Sequence, residues 1–267
     1  MSGILLARGA SAPCSEAEQR LIARAFCQGT PVTATAPEQA DYSGQYSLSG
    51  PAKVRDARIT PIRGDLADIA LAGKLFAPHY VVPMERAVTA AFAPLRKTPH
   101  DDAEQTSELL HGERFMVLDM AGAWAWGYCK HDCYNGYLAL DLLGDPQGDA
   151  PLASPGDPVE AALARVGTPY VWGARGGAGI DCSGLVQTAF AHAGIALPRD
   201  SDQQEACGEA VEIMQRGDLV FFPGHVAIAA AADEVVHASQ DQGSVVIEPL
   251  AALVARKGQP SQVRRLA

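Results

Sequence analysis

No apolar run in the 267-residue sequence approaches the roughly 20 residues needed to span a bilayer, so no membrane partner is expected. Basic residues are outnumbered, with 21 Lys and Arg against 31 Asp and Glu. The resulting net charge of −10 argues against nucleic acid or an anionic membrane surface, both of which select basic faces. The N-terminus lacks a basic n-region, and its apolar run covers only Ile4 to Ala7, whereas a secretory signal needs about 7–15 apolar residues. Six cysteines in a chain of this length do not make a disulfide framework, so the expected setting is a reducing cytoplasm. What remains is an ordinary globular composition, 48% hydrophobic and 19% charged, with room for one large domain or two smaller ones.

Composition divides the chain into four parts. Residues 1–53 hold a possible short helix over 15–26, with Glu16 and Glu18 in its first turn, and then a Thr, Ala, Pro and Ser-rich arm over 30–50. Residues 54–143 carry short β-type runs at 80–82, 88–90, 114–118, 123–126 and 136–139. Their spacing of about ten residues, with Gly, Pro and Asp between them, suggests a small β-barrel. A Pro/Gly/Asp linker at 144–157 follows, since such a segment sustains neither helix nor sheet. Residues 158–267 then read as α+β: a helix over 159–166 that starts behind Pro158 and ends at Gly167, a second helix over 185–193, and four strands at 217–222, 224–229, 234–238 and 245–248.

Cys182 stands between a glycine-rich loop (Gly176, Gly177, Gly179) and the second helix. Unpaired N–H groups and the positive end of the helix dipole stabilise thiolate at such a position, and the glycines let a substrate backbone approach. A lone cysteine is more often a small buried hydrophobe. Here Asp181 and Ser183 flank it with polar groups, which suits a site better than a core. Nucleophilic cysteine chemistry also needs a base and a group that orients the base. His225 and His237 fall on consecutive strands, twelve positions apart, where their rings can meet across the ladder; the competing reading is a satisfied core pair.

Asp181-Cys182-Ser183-Gly184-Leu185, Gly217-Asp218-Leu219, Gly224-His225-Val226 and His237-Ala238 together resemble the NlpC/P60 family of papain-like cysteine peptidases, over about residues 157–250. The resemblance implies Cys182 as nucleophile, His225 as general base and acid, His237 as the residue orienting it, and Tyr170 as an oxyanion donor. Upstream, 108–118, Trp124-Ala125-Trp126 and 132–138 resemble the bacterial SH3-type domain that precedes NlpC/P60 domains in γ-D-glutamyl-L-diamino acid endopeptidases. That likeness implies a barrel blocking one end of the groove. It implies murein peptides with a free N-terminal L-Ala as substrate, such as L-Ala-γ-D-Glu-diaminopimelate or its Lys counterpart, in cell-wall peptide recycling. The amine would be clamped by Tyr134 with Asp181 and Ser183, helped by Glu108 or Glu113.

Arg199 is a candidate for a substrate carboxylate, with a salt bridge to Asp200 or Asp218 as the alternative. Only one barrel unit fits before the linker. The cluster Cys129-Lys130-His131-Asp132-Cys133 offers soft ligands, but structural zinc wants two separated pairs and only His111 remains as a further candidate, so no metal or other cofactor is expected. Two alternatives stand beside this reading: a papain-like amidase or acyltransferase for another substrate class, and a catalytically inert protein that binds wall peptides.

Overall fold

The computed structural model describes residues 55–148 and 156–266. The readings for residues 15–26 and 30–50 lie outside the described residues, as does the middle of the linker. The fold is α+β, with two large antiparallel sheets in two bodies joined by polar contacts.

A two-stranded parallel pair, β1 (Leu66–Asp68) and β2 (His79–Val81), precedes the first large sheet. That sheet has seven strands: β3 (Met84–Val88), β4 (Phe92–Arg96), β5 (Gln105–Leu110), β6 (Arg114–Ala121), β7 (Trp124–Cys129), β8 (Asn135–Ala139) and β9 (Leu143–Gly144), in the order β5-β4-β8-β7-β6-β3-β9. Alternation does the work of an inner face: Ala93, Leu95, Leu109, Phe115, Val117, Ala125 and Leu138 point into one core as a small barrel. β4 and β5 are absent from the sequence reading because Pro94 lacks a ladder N–H and Gln105, Ser107 and Glu108 carry little β propensity. Neighbouring barrel strands complete what local propensity does not supply.

The second body begins with α1 (Pro158–Leu163), capped by Asp157, whose carboxylate accepts from Val159 N at 2.8 Å. Next come α2 (Cys182–Ala191), the single turn α3 (Ser201–Gln204) and β10 (Glu209–Ala210). β11 (Leu219–Phe222), β12 (His225–Ala229), β13 (Glu234–Ser239) and β14 (Ser244–Pro249) form a meander, followed by α4 (Leu250–Lys257) and β15 (Gln262–Arg265). The six strands run β10-β15-β11-β12-β13-β14. One face of this sheet buries Leu219, Phe221, Val226 and Ile228 against α1 and α2, and the other buries Val220, Phe222 and Val235 against Leu253 of α4. Covered on both sides, β12 is buried along its whole length. It is therefore a rigid mount for whatever its first residue does.

α2 starts three residues before the expected run at 185, because Asp181 caps it and accepts from Gly184 N at 2.7 Å. Cys182 thus becomes the first helical residue. α1 ends at Leu163 and reaches Gly167 through turns rather than continuous helix. Among the described residues no helix is long and apolar enough to cross a membrane.

Candidate active site

Cys182 lies at the start of α2, only 7% exposed, packed with Val226 of β12. Burial and the neighbouring Asp181 carboxylate push the thiol up to about 11, while the backbone N–H groups of Val226 and Ser183 and the charge of Arg199 oppose them. The expected thiolate is therefore not the resting state. The loss of water and the carboxylate at the cap outweigh the backbone N–H groups, which favours the thiol form.

A two-residue turn, Pro223 and Gly224, places His225 at the head of β12, and Gly224 takes φ +69°, a region that favours glycine. β13 pairs with β12 so that His237 lies diagonal to His225 on one face, and the rings meet edge to face with centroids 4.9 Å apart. His225 Nε2 lies 2.9 Å from His237 Nδ1, and His237 Nε2 lies 2.7 Å from Glu248 Oε1. A carboxylate can only accept, so His237 donates from Nε2 and accepts at Nδ1, and His225 donates from Nε2. His225 Nδ1 is left with its lone pair. Burial, then the adjacent His237, lower His225 to about 3. Burial also lowers His237, against the pull of Glu248. Thiol and imidazole are both neutral at pH 7.

Glu248 did not come out of the sequence reading. Burial opposes its ionisation, yet Arg256 and His237 hold its carboxyl below the usual range. The signal was available in the register: Val246 stands opposite His237, so the residue two further along β14 shares that face.

The structure places Tyr170 half-buried beside the cysteine. Burial first, then the charges of Cys182 and Asp181, raise its phenol, which stays protonated and able to donate. Asp181 and Ser183 line a cavity of about 250 Å³ with Cys182, Tyr134, Trp172 and Asp200. Asp181 is not a vacant acceptor, however. Its Oδ2 accepts from Gly173 N at 2.8 Å and Arg199 Nη2 at 2.6 Å, and its Oδ1 accepts from Gly184 N, Arg199 Nη1 and Ser183 Oγ. Arg199 is 1% exposed and is spent on Asp181, on Ser183 Oγ at 2.9 Å and on Ser107 Oγ at 3.1 Å. It braces the cavity floor rather than facing a substrate carboxylate, and its partner is neither Asp200 nor Asp218.

Tyr134 reaches across from the barrel, and its hydroxyl donates to Asp200 Oδ2 at 2.8 Å. Asp200, Asp202, Trp172 and Arg58 are among the cavity residues that sequence spacing missed; Trp172 is 59% exposed there. Glu108 and Glu113 lie elsewhere. Glu108 Oε1 accepts from Arg175 N and Gly177 N, and Glu113 Oε2 accepts from Arg175 Nη1 at 2.6 Å. Gln187 of α2 bridges Arg175 and Asp132, with its Nε2 2.9 Å from Asp132 Oδ2. The glycine-rich loop serves this same junction. A Cβ on Gly177 would meet the Phe92 ring at 2.4 Å, and one on Gly173 would meet the Gln105 carbonyl oxygen at 2.5 Å. These glycines admit the barrel rather than a substrate backbone.

In the cysteine-rich cluster, Cys129 is buried and free, and His131 Nε2 lies 3.2 Å from Asp132. His111 turns to the carbonyls of Thr89 and Ala90. Among the described residues no group of three or more His, Cys, Asp or Glu is placed to hold a metal.

Residues 167–259 match the NlpC/P60 family and residues 95–143 match the bacterial dipeptidyl-peptidase Sh3 domain. A gamma-D-glutamyl-L-lysine dipeptidyl-peptidase of Bacillus cereus is 36% identical over 114 residues, which is 39% of this chain and 34% of that protein. Dipeptidyl-peptidase 6 of Lysinibacillus sphaericus is 40% identical over 95 residues, 34% of this chain and 35% of its own length. The chain thus matches about a third of the length of these curated relatives. A crystal structure of an NlpC/P60 family protein from Bacillus cereus aligns with 68% of this chain and 62% of its own, at 27% identity and a TM-score of 0.40.

Proposed function

On the premise that this chain carries an NlpC/P60 domain behind a bacterial Sh3 domain, we propose that it is a cysteine endopeptidase acting on murein peptides with a free N-terminal L-Ala. The bond cut is the one between γ-D-glutamate and the diamino acid. One observation carries the reading: the cavity that holds Cys182 is closed on one side by the barrel residue Tyr134, bonded to the carboxylate of Asp200. A carboxylate and a phenol are what an α-ammonium needs, and both line the cavity that Cys182 lines. A free amine exists on peptides already detached from the wall, which fits a role in recycling them.

In this reading the Cys182 thiol proton passes to His225 Nδ1 as the sulfur attacks the γ-carbonyl carbon. The imidazolium that forms is stabilised through His237 by Glu248, so proton transfer accompanies attack and no resting ion pair is required. Negative charge on the carbonyl oxygen faces the Tyr170 hydroxyl and the N–H groups at the start of α2. Loss of one such donor typically costs about 10²–10³ in rate. His225 returns the proton to the leaving α-amine as the C–N bond breaks, and water then attacks the thioester with His225 as its base. Cys182→Ala should abolish release of the diamino acid from L-Ala-γ-D-Glu-diaminopimelate, read by mass spectrometry; retained turnover would overturn the assignment.

A further inference from the structure

Arg58 precedes β1 and lines the cavity beside Cys182. Its Nη1 donates to Asp200 Oδ2 at 2.8 Å, the same oxygen that accepts from Tyr134 Oη, and to Asp202 Oδ1 at 2.8 Å. Nη2 donates to Asp202 Oδ2 at 2.7 Å and Asp56 Oδ2 at 2.6 Å, and Nε donates to Asp56 Oδ1 at 3.0 Å. One guanidinium therefore ties three carboxylates, and one of those carboxylates is the acceptor the proposed amine site relies on.

The backbone of Arg58 is fixed, since its carbonyl accepts from Asn135 N at 2.7 Å. Its side chain is not locked in the same way. It stays 36% exposed, so solvent and an incoming cation can reach its bonds, although the three-carboxylate network it joins is stronger than an isolated surface pair. A cation thus rests where a substrate cation is to go, held in a partly exposed network that an incoming ammonium can enter. Without Arg58 the cavity would present Asp200 and Asp202 with the buried Arg199 as the neighbouring cation.

Resting on the functional reading above, we propose that Arg58 is a tethered competitor for the amine subsite and so a determinant of its affinity. In the free protein its guanidinium stands in for the α-ammonium at Asp200. The peptide's own ammonium takes over the Asp200 oxygen and sends Arg58 back onto Asp202 and Asp56. Substrate affinity is then the difference between two cations, not the full strength of one.

The test is calorimetric titration of the full chain with L-Ala-γ-D-Glu, the product that keeps the α-amine, with thermal melting as a control for folding. Arg58→Gln should bind the dipeptide about fivefold tighter and lower KM for the tripeptide by a similar factor, with kcat within twofold. Arg58→Lys, which keeps a competing cation, should stay close to wild type. Asp202→Asn weakens the resting place of Arg58 without touching Tyr134 or Asp200, so it provides a second route. On the proposal it shifts the competition toward Asp200 and binds the dipeptide more weakly than wild type, and that loss disappears in the Arg58→Gln background. Binding that Arg58→Gln leaves unchanged or weakens, in a protein that melts normally, overturns the competitor and leaves the peptidase reading intact. No dipeptide binding by wild type and Arg58→Gln alike overturns the murein-peptide reading and the competitor with it.

Discussion

Tyr134 Oη and Asp200 Oδ2 share a 2.8 Å hydrogen bond across 66 positions of sequence, joining the barrel to the body that holds Cys182. Both groups are shielded, and burial, with the Asp200 charge, raises the phenol so that it remains a donor. The bond makes the barrel part of the cavity wall rather than an appended module.

Removing that hydroxyl isolates its contribution. Tyr134→Phe should raise KM for the free-amine tripeptide about tenfold, the scale of a hydrogen bond to a charged group, with little change in kcat. Steady-state kinetics on free and N-acetylated tripeptide provide the check, because the acetylated substrate should show no difference between the two proteins.

Glu248 is a positioning residue acting through His237. Glu248→Gln should lower kcat about 10–100-fold, and Glu248→Asp should recover part of it. The pH profile separates this from a merely structural role. Activity falls in acid as His225 takes up a proton, and Glu248 favours protonation of the pair. Its removal should therefore shift the acid limb of kcat/KM to lower pH.

Arg175 is 3% exposed, and its bonds to Glu113 and Gln187 tie the barrel to α2. Arg175→Met leaves the half-buried Glu113 without its ion pair and should cost about 1–3 kcal/mol in urea unfolding. Against burial, Arg175 and His131 hold Glu113 low, and His131 and Arg175 hold Asp132 low. Both folded values lie below the ordinary ones. The stability these carboxyls add is therefore present above the ordinary values of 4.5 and 3.8 and is lost as pH falls through the folded ones. Melting temperature against pH should show that decline, and Arg175→Met should flatten it.

Alkylation reports the resting protonation of Cys182. In the free protein, iodoacetamide labelling of Cys182, followed on its tryptic peptide, should rise with pH toward a midpoint near 11. A midpoint below 7 would mean a preformed thiolate.

The residues whose chemistry is local were legible in the sequence. Cys182 follows a capping Asp181, and His225 and His237 stand on strands whose turn and spacing declare a meander. Residues that matter only because two bodies meet were not. Asp200 and Arg58 come together over 142 positions, and Phe92 meets a distant Gly177 on the other body, which no periodicity records. For the same reason Asp181 and Arg199 read as substrate contacts. Their side chains are polar and beside the nucleophile, but each satisfies the other, and only burial reveals that.

Selectivity for a free amine is the most direct test of the barrel-capped cavity. The wild-type chain should release diaminopimelate from L-Ala-γ-D-Glu-diaminopimelate with a kcat/KM at least a hundredfold above that for the N-acetylated tripeptide, followed by mass spectrometry of timed samples. Equal rates on the two peptides would contradict the account.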